Sequence, residues 1–392
     1  MLKKTILIAA ALGLTLPLFP VFPFFHGARA LALGYSSLAF NYDVNALFLN
    51  PALLGWQGEP LAGYQYGRSE LDFRGVSGAL AAARAFDLEH FQSLGAADRE
   101  AALQALRSAY DAGVPVYGFR AHGPGYAGKG YAVSISSVDA AVVSPLAGET
   151  SAFLDQPASA VTDADIAALR VRLTGLQYTD YALAFGFPLG QGTNVGATLH
   201  YLRGKRRLLD AGLGGGWLSP RADAGDLLRS AWTGLEEKFS KFTFDLGAAV
   251  DLGPHFRAGL VVKNAGEPVI AAGAAELRLA RRYVAGLAFR PDAALAVCLD
   301  IDLAKAELVP GGGEAQPFAL GVEKGLFRNK LLLRAGMHSD LAAAYFVGRR
   351  SGALYGLGAG FNLGKFLIDL ALAFDSHGQL KNLGFSGFYA LR

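Results

Sequence analysis

The residues of this chain that could do chemistry are few, and most stand in company that does not suit it. Gly123-Pro124-Gly125-Tyr126-Ala127-Gly128-Lys129 has the spacing of a phosphate-binding loop. Gly130 follows the lysine where that motif needs a metal-binding hydroxyl, and alternating Tyr131, Val133 and Ile135 begin a strand where it needs a helix N-terminus. The stretch therefore reads as a hairpin loop. Gly356, Gly358 and Gly360 mimic a dinucleotide fingerprint, but they alternate along one strand face and would make a smooth wall there. Seven histidines (26, 90, 122, 200, 255, 338 and 377) show no i, i+4 pair and no H-E-x-x-H, so no metal site is expected. G-x-S-x-G is absent too. Cys298 is the single cysteine, which excludes an internal disulfide and any multi-cysteine metal site. No cofactor is expected, and the chain does not read as an enzyme.

What remains is a set of acids in a revealing position. Asp180, Asp245, Asp251, Asp300, Asp302, Asp369 and Asp375 fall on alternate residues of segments whose other positions are large and apolar. Beyond residue 110 the dominant period is two. Phe242, Phe244, Leu246, Ala248 and Val250 oppose Thr243, Asp245, Gly247, Ala249 and Asp251. Leu295, Val297, Leu299, Ile301 and Leu303 oppose Ala296, Cys298, Asp300 and Asp302, and Phe366 to Asp375 repeats the split. Segments of about ten residues match a tilted membrane-spanning strand. The less apolar face is mostly Gly, Ala, Ser and Asp, whereas a soluble sandwich, the alternative, would carry Lys, Glu, Thr and Arg on its wet face. Small side chains suit the inside of a closed barrel, and closure spares strand edges from hydrocarbon. The fold class is therefore all-β: a transmembrane antiparallel β-barrel of about 14 strands (12–16). Asp180, Asp245, Asp300, Asp302 and Asp369 are expected to face the lumen, most of them paired with Arg257, Lys263, Arg334 or similar, and a minority touching whatever fills it.

Sixteen candidate segments can be counted, of which 75–84 and 166–174 are the weakest. Residues 86 to 112 and 223 to 240 read as amphipathic helical insertions, either rim packing or caps beside a ligand entrance. Composition agrees with the barrel: 50 glycines and 26 phenylalanines are high for 392 residues, and charged residues are 18% against a usual quarter. Formal charge is +3, but Lys3, Lys4 and Arg29 account for it, leaving 33 basic and 33 acidic residues after position 30. No nucleic-acid partner is expected.

Residues 1 to 30 read as a cleaved secretory signal: a basic start, an apolar run from Thr5 to Phe25, and Ala28-Arg29-Ala30 as the small-x-small site. A transmembrane anchor is the alternative, weakened by Pro17, Pro20 and Pro23. Residues 31 to 59 follow as an expected hatch or plug, before the barrel of residues 60 to 392. Asn50 before Pro51 also looks like a helix start, with Asn capping and Pro in the first turn.

This hatch resembles the N-terminal region of the FadL/PorV/TraF-like outer-membrane superfamily. Gly34, Ala39, Asp43, Ala46, Phe48 and Asn50-Pro51-Ala52 stand in the shared pattern. Tyr178-Thr179-Asp180-Tyr181, Val262-Lys263-Asn264-Ala265-Gly266 and Leu363-Gly364-Lys365-Phe366 agree with its strand motifs. The long helical insertion after the first strand favours the TraF-like branch. The resemblance implies a 14-stranded barrel in the outer membrane of a Gram-negative-type bacterium, surrounded by outer-membrane lipid, with a lumenal hatch. It further implies either a path for small hydrophobic, fatty-acid-like ligands through the lumen and sideways into the membrane, or a non-transporting partner role in protein secretion or conjugal transfer. Gly34, Asp43, Asn45, Asn50, Pro51 and Ala52 would hold the hatch. The terminal Arg392, in place of the usual aromatic residue, is a departure from the pattern. A barrel-borne lipid hydrolase, the third reading, would need a Ser/His pair that the sequence does not display.

Overall fold

Each strand of this chain has one face for lipid and one for the lumen, and such strands satisfy all their backbone groups only in a closed ring. A computed structural model describes residues 27–40, 43–71, 85–112, 116–146, 153–212, 237–271, 277–307, 314–341, 353–376 and 378–391. Fourteen strands close into one antiparallel barrel, each paired with its neighbour in the chain and the last with the first. The first seven are β1 Leu61–Leu71, β2 Val116–Ala127, β3 Tyr131–Leu146, β4 Arg170–Gly190, β5 Thr193–Gly212, β6 Glu237–Asp251 and β7 Phe256–Lys263. The second seven are β8 Arg282–Asp292, β9 Leu295–Asp302, β10 Pro317–Leu326, β11 Leu331–Asp340, β12 Leu354–Asn362, β13 Phe366–Phe374 and β14 Leu380–Ala390.

The expected faces hold. Phe242, Phe244 and Leu246 on β6 and Phe366, Leu370 and Leu372 on β13 are exposed, while Thr243, Asp245, Asp369 and Ala371 are buried. Large apolar side chains that recur around a whole ring and meet no protein are a lipid-facing surface. Among the described residues no helix is long and apolar enough to cross a membrane; the strands do the crossing.

The N-terminal residues lie inside the ring. Helix α1 (Gly27–Ala32) packs against β12, β13 and β14; helix α2 (Ala46–Leu49) leads into a 3-10 turn, Pro51–Trp56, that packs on β4, β5 and β6. Sixteen of the twenty residues from Gly27 to Ala32 and from Asp43 to Trp56 are apolar or glycine, as a segment with wall on every side requires.

The two ends of the barrel differ. At one end the connections are tight, as at residues 191–192 and 293–294, and Gly192 takes the left-handed backbone (φ +71°) that such a turn needs. At the other end the connections are long. That between β1 and β2 carries helix α3 (Ala96–Ala112), whose Leu103 and Leu106 are buried together with Phe91 just before it, so the amphipathic reading of residues 86 to 112 is realised. That between β3 and β4 carries the short helix α4 (Asp163–Ala168), and the two insertions join where Gln92 N donates to Asp163 (2.7 Å) and Arg107 to Gln156 O (2.6 Å).

Three expectations about segments need correction or fall outside the description. The candidates 166–174 and 178–188 are one 21-residue strand, β4, and residues 163–168 are helical. A capping box starts that helix: Thr162 Oγ1 accepts from Asp165 N at 3.2 Å and Asp165 accepts from Thr162 N at 2.8 Å. Phe239, expected in a second helical insertion, is a buried residue of β6; the rest of 223–240 up to 236 lies outside the described residues, as does the 75–84 candidate.

The mid-strand outward position Leu370 tests the membrane reading. Leu370→Arg is expected to cost about 2–4 kcal/mol if it sits near the bilayer midplane, measured by reversible unfolding from lipid vesicles. A change within about 0.5 kcal/mol would mean that this face is not in lipid.

Candidate functional site: a cavity above the N-terminal segment

The inner segment can fit because the wall beside it has almost no side chains. Glycines stand opposite one another on successive strands: Gly186, Gly196 and Gly247 across β4–β6, Gly259 and Gly286 across β7–β8, and Gly321, Gly336 and Gly356 across β10–β12. A Cβ on Gly186, Gly196, Gly247, Gly321, Gly336 or Gly356 would stand 2.1–2.5 Å from an atom of the segment. Backbone therefore meets backbone on β4, β5, β10, β11 and β12. Gly34 itself has φ +63°, with Met337 backbone 2.4 Å from where its Cβ would be.

Polar contacts then fix the segment's height and rotation. Asp300 accepts from Ser37 N (2.8 Å) and Leu38 N (2.9 Å), and Thr198 donates to Leu47 O (2.7 Å). Asn50 is the busiest residue: its Oδ1 caps the 3-10 turn by accepting from Ala52 N (3.1 Å), and its Nδ2 donates to Leu38 O (3.2 Å) and to Ala248 O on β6 (3.1 Å). Pro51 takes the first turn position, and Ala52 behind it is fully buried. Asp43 accepts from Asn45 N (2.7 Å), and Asn45 precedes α2 without capping it through its side chain.

Charge inside the barrel is neutralised pair by pair. Arg334, wholly buried, joins Glu323 and Asp369 at 2.6 Å each, and Glu323 also takes Arg29 at 2.9 Å. Arg29 stacks on Phe40 (4.6 Å), and Ala28 N donates to Ser386 Oγ (2.9 Å). Residues before the small-x-small site at Ala30 are thus built into the lumen. Asp302 binds Arg282 through both oxygens (2.7 and 2.9 Å), Asp245 meets Lys263 at 3.1 Å, and Asp180 meets His200 at 2.9 Å. Lys263 also donates to Phe48 O, tying α2 to the wall. Cys298 is buried between Ala288 and Gly321 on the adjoining strands.

Beside β4, β5 and β6 the segment occupies the tight-turn half of the lumen and leaves space above it. A cavity of about 90 Å³ lies between Phe48 and the long-loop end. Its apolar lining is Phe48, Phe119, Ala121, Val138, Tyr178, Leu202 and Leu279; its polar lining includes Gln65, His122, Asp180, His200, Thr243, Asp245, Lys263 and Arg282. Sequence reading found the aspartates and missed the apolar residues. The missed signal was a reversal of the alternation. On β4, Leu176 and Tyr178 face inward while Gln177 is exposed, the opposite of the polarity four residues further on. Among the described residues no cluster of three or more His, Cys, Asp or Glu could hold a metal ion.

The strand count, closure and lumenal segment can now be set beside known proteins. No protein-family model and no curated protein matches the chain. Solved structures do. The Ralstonia pickettii toluene transporter TbuX superposes with TM-score 0.51 at 14% identity, covering 94% of this chain and 99% of its own. A Pseudomonas aeruginosa FadL homologue gives 0.52 at 13%, covering 96% and 100%. The fold is FadL-like. A TodX deltaS2S3 mutant monoaromatic hydrocarbon channel agrees, with 0.52 at 12% identity over 93% of this chain and 98% of its own. These structures give the TraF-like branch no support: the long insertion that favoured it is equally compatible with a FadL-like barrel, because loops vary freely on a fixed ring of strands.

Three outcomes are expected from the seat of the segment. Gly336→Val should expel residues 27–56 while the barrel stays closed, seen as new protease cleavage in that stretch with unchanged heat-dependent gel mobility. Arg334→Met, which leaves Asp369 buried without its cation while Glu323 keeps Arg29, should destabilise by about 3–5 kcal/mol; a loss below about 1 kcal/mol would show the pair to be solvated. N-terminal sequencing of the exported protein should find Arg29 retained, and a mature chain beginning at Leu31 would contradict its seat against Glu323.

Proposed function

We propose that this protein is an outer-membrane channel for small hydrophobic molecules, occluded by its own N-terminal segment. The observation that carries the reading is the cavity: a mixed but largely apolar chamber inside a closed barrel, floored by Phe48 of a segment that fills the half below it. Concave, apolar chambers with a few placed polar groups are where small ligands bind. The named functions of TbuX and TodX, toluene and monoaromatic hydrocarbon transport, support the same reading. Tight turns on one side and long connections on the other support a reading in which the turns lie in the periplasm and the cavity on the outer side. Export through the N-terminal signal belongs to this proposal.

A lateral exit through the wall belongs to the same proposal. Between β2 and β3 the ladder lapses at Gly123 and Pro124, between the His122–Ser137 and Gly125–Ser134 partners. Proline has no N–H to give a neighbouring strand. Gln65, Ala121, His122 and Ser136, which line the cavity, flank this lapse. A ligand that leaves there enters the membrane sideways and never crosses the segment below.

Deletion of residues 31 to 55 should open the tight-turn half to water. Single-channel conductance in planar bilayers is expected to rise severalfold over the intact chain. Equal conductance would overturn the occlusion, and equal uptake of labelled toluene by cells with and without the protein would overturn the channel.

A further inference from the structure

We infer that the cavity selects neutral single-ring compounds carrying one hydroxyl-type group, and rejects carboxylates. This rests on the channel reading above and names the class of ligand for the same chamber. The decisive feature is that every cation lining the chamber already faces a carboxylate. Lys263 Nζ holds Asp245 at 3.1 Å and donates to Phe48 O. Arg282 is bidentate on Asp302, and His200 Nδ1 lies 2.9 Å from Asp180. Asp180 and Asp245 themselves line the chamber, so an anionic ligand meets two negative groups and has to break a buried pair to find a cation. A carboxylate headgroup has no seat.

Two other groups do want a partner. Thr243 Oγ1 and Gln65 Oε1 are buried with no hydrogen-bond partner, and both line the chamber. A threonine hydroxyl can donate or accept, and an amide oxygen accepts. Groups of this kind, left unpaired, penalise an empty or purely apolar occupant and reward one that brings a hydroxyl. Size sets the rest. About 90 Å³ is several times the roughly 10–15 Å³ that one water needs, and the rings of Phe48, Phe119 and Tyr178 offer an aromatic ring its faces and edges.

The test is equilibrium dialysis at pH 7 of radiolabelled phenol, toluene and benzoate against the full chain in lipid nanodiscs, with protein-free nanodiscs subtracted. Phenol is expected to bind at least tenfold more tightly than benzoate and severalfold more tightly than toluene. In Thr243→Val/Gln65→Leu the advantage of phenol over toluene should vanish while toluene binding persists. Benzoate binding as well as phenol, or phenol binding no better than toluene to the unaltered chain, overturns the inference and leaves the channel reading standing. Saturable binding of none of the three overturns the channel reading itself. The ranking on the unaltered chain decides the matter even if the double variant does not fold.

Discussion

Backbone-to-backbone contact between the N-terminal segment and a belt of glycines is the constraint on which the rest of this structure depends. A fourteen-stranded ring has a lumen too wide to be filled by wall side chains alone and too narrow for a folded domain with side chains on both surfaces. Removing the side chains from one surface solves the problem, and the wall is the surface that gave them up. Gly196, Gly247, Gly321, Gly336 and Gly356 bring strand backbone against the segment, so the segment keeps its leucines and alanines. Both partners are then rigid, and the few polar bonds from Asp300, Thr198 and Asn50 suffice to fix position.

Burying that interface also buries charge. The lumen holds many of its acids and bases as pairs and short chains, among them Arg29–Glu323–Arg334–Asp369, running from the segment into three strands. A buried pair contributes little net stability over an apolar substitute, but a broken one is costly. Such chains specify one arrangement by making its neighbours expensive. In the chamber above, the same pairing uses up every lining cation and leaves two neutral polar groups as the open valences.

The parts legible in the sequence were those governed by period two in a uniform environment. On β6 from Phe242 onward, and on β9 and β13, the outward face is apolar, so faces and barrel follow from alternation and the strand number to within two. Asn50 and Pro51 advertised the start of the short turn they make, and Gly356 and Gly358 advertised a bare wall, though nothing in the sequence said what lies against it. The chamber was illegible for a physical reason. Where β4 passes the lipid, its inward residues are the less apolar ones; where it lines the chamber, Leu176 and Tyr178 make the inward face the more apolar one. A hydropathy pattern that changes sign within one strand reads as no pattern, and the strand was split there. The helix at 163–168 was hidden by its own brevity, since six residues carry less than two turns of periodicity and only its capping box marks it.

The inner segment also bears on how the molecule comes into being. It precedes β1 in the chain, yet most of its contacts are with strands from β4 onward, and its first helix rests mainly on the last three. The occupant is thus made before its container. Its seat is complete only once β14 has paired with β1, so the stretch that leads the chain is the last to be fully enclosed.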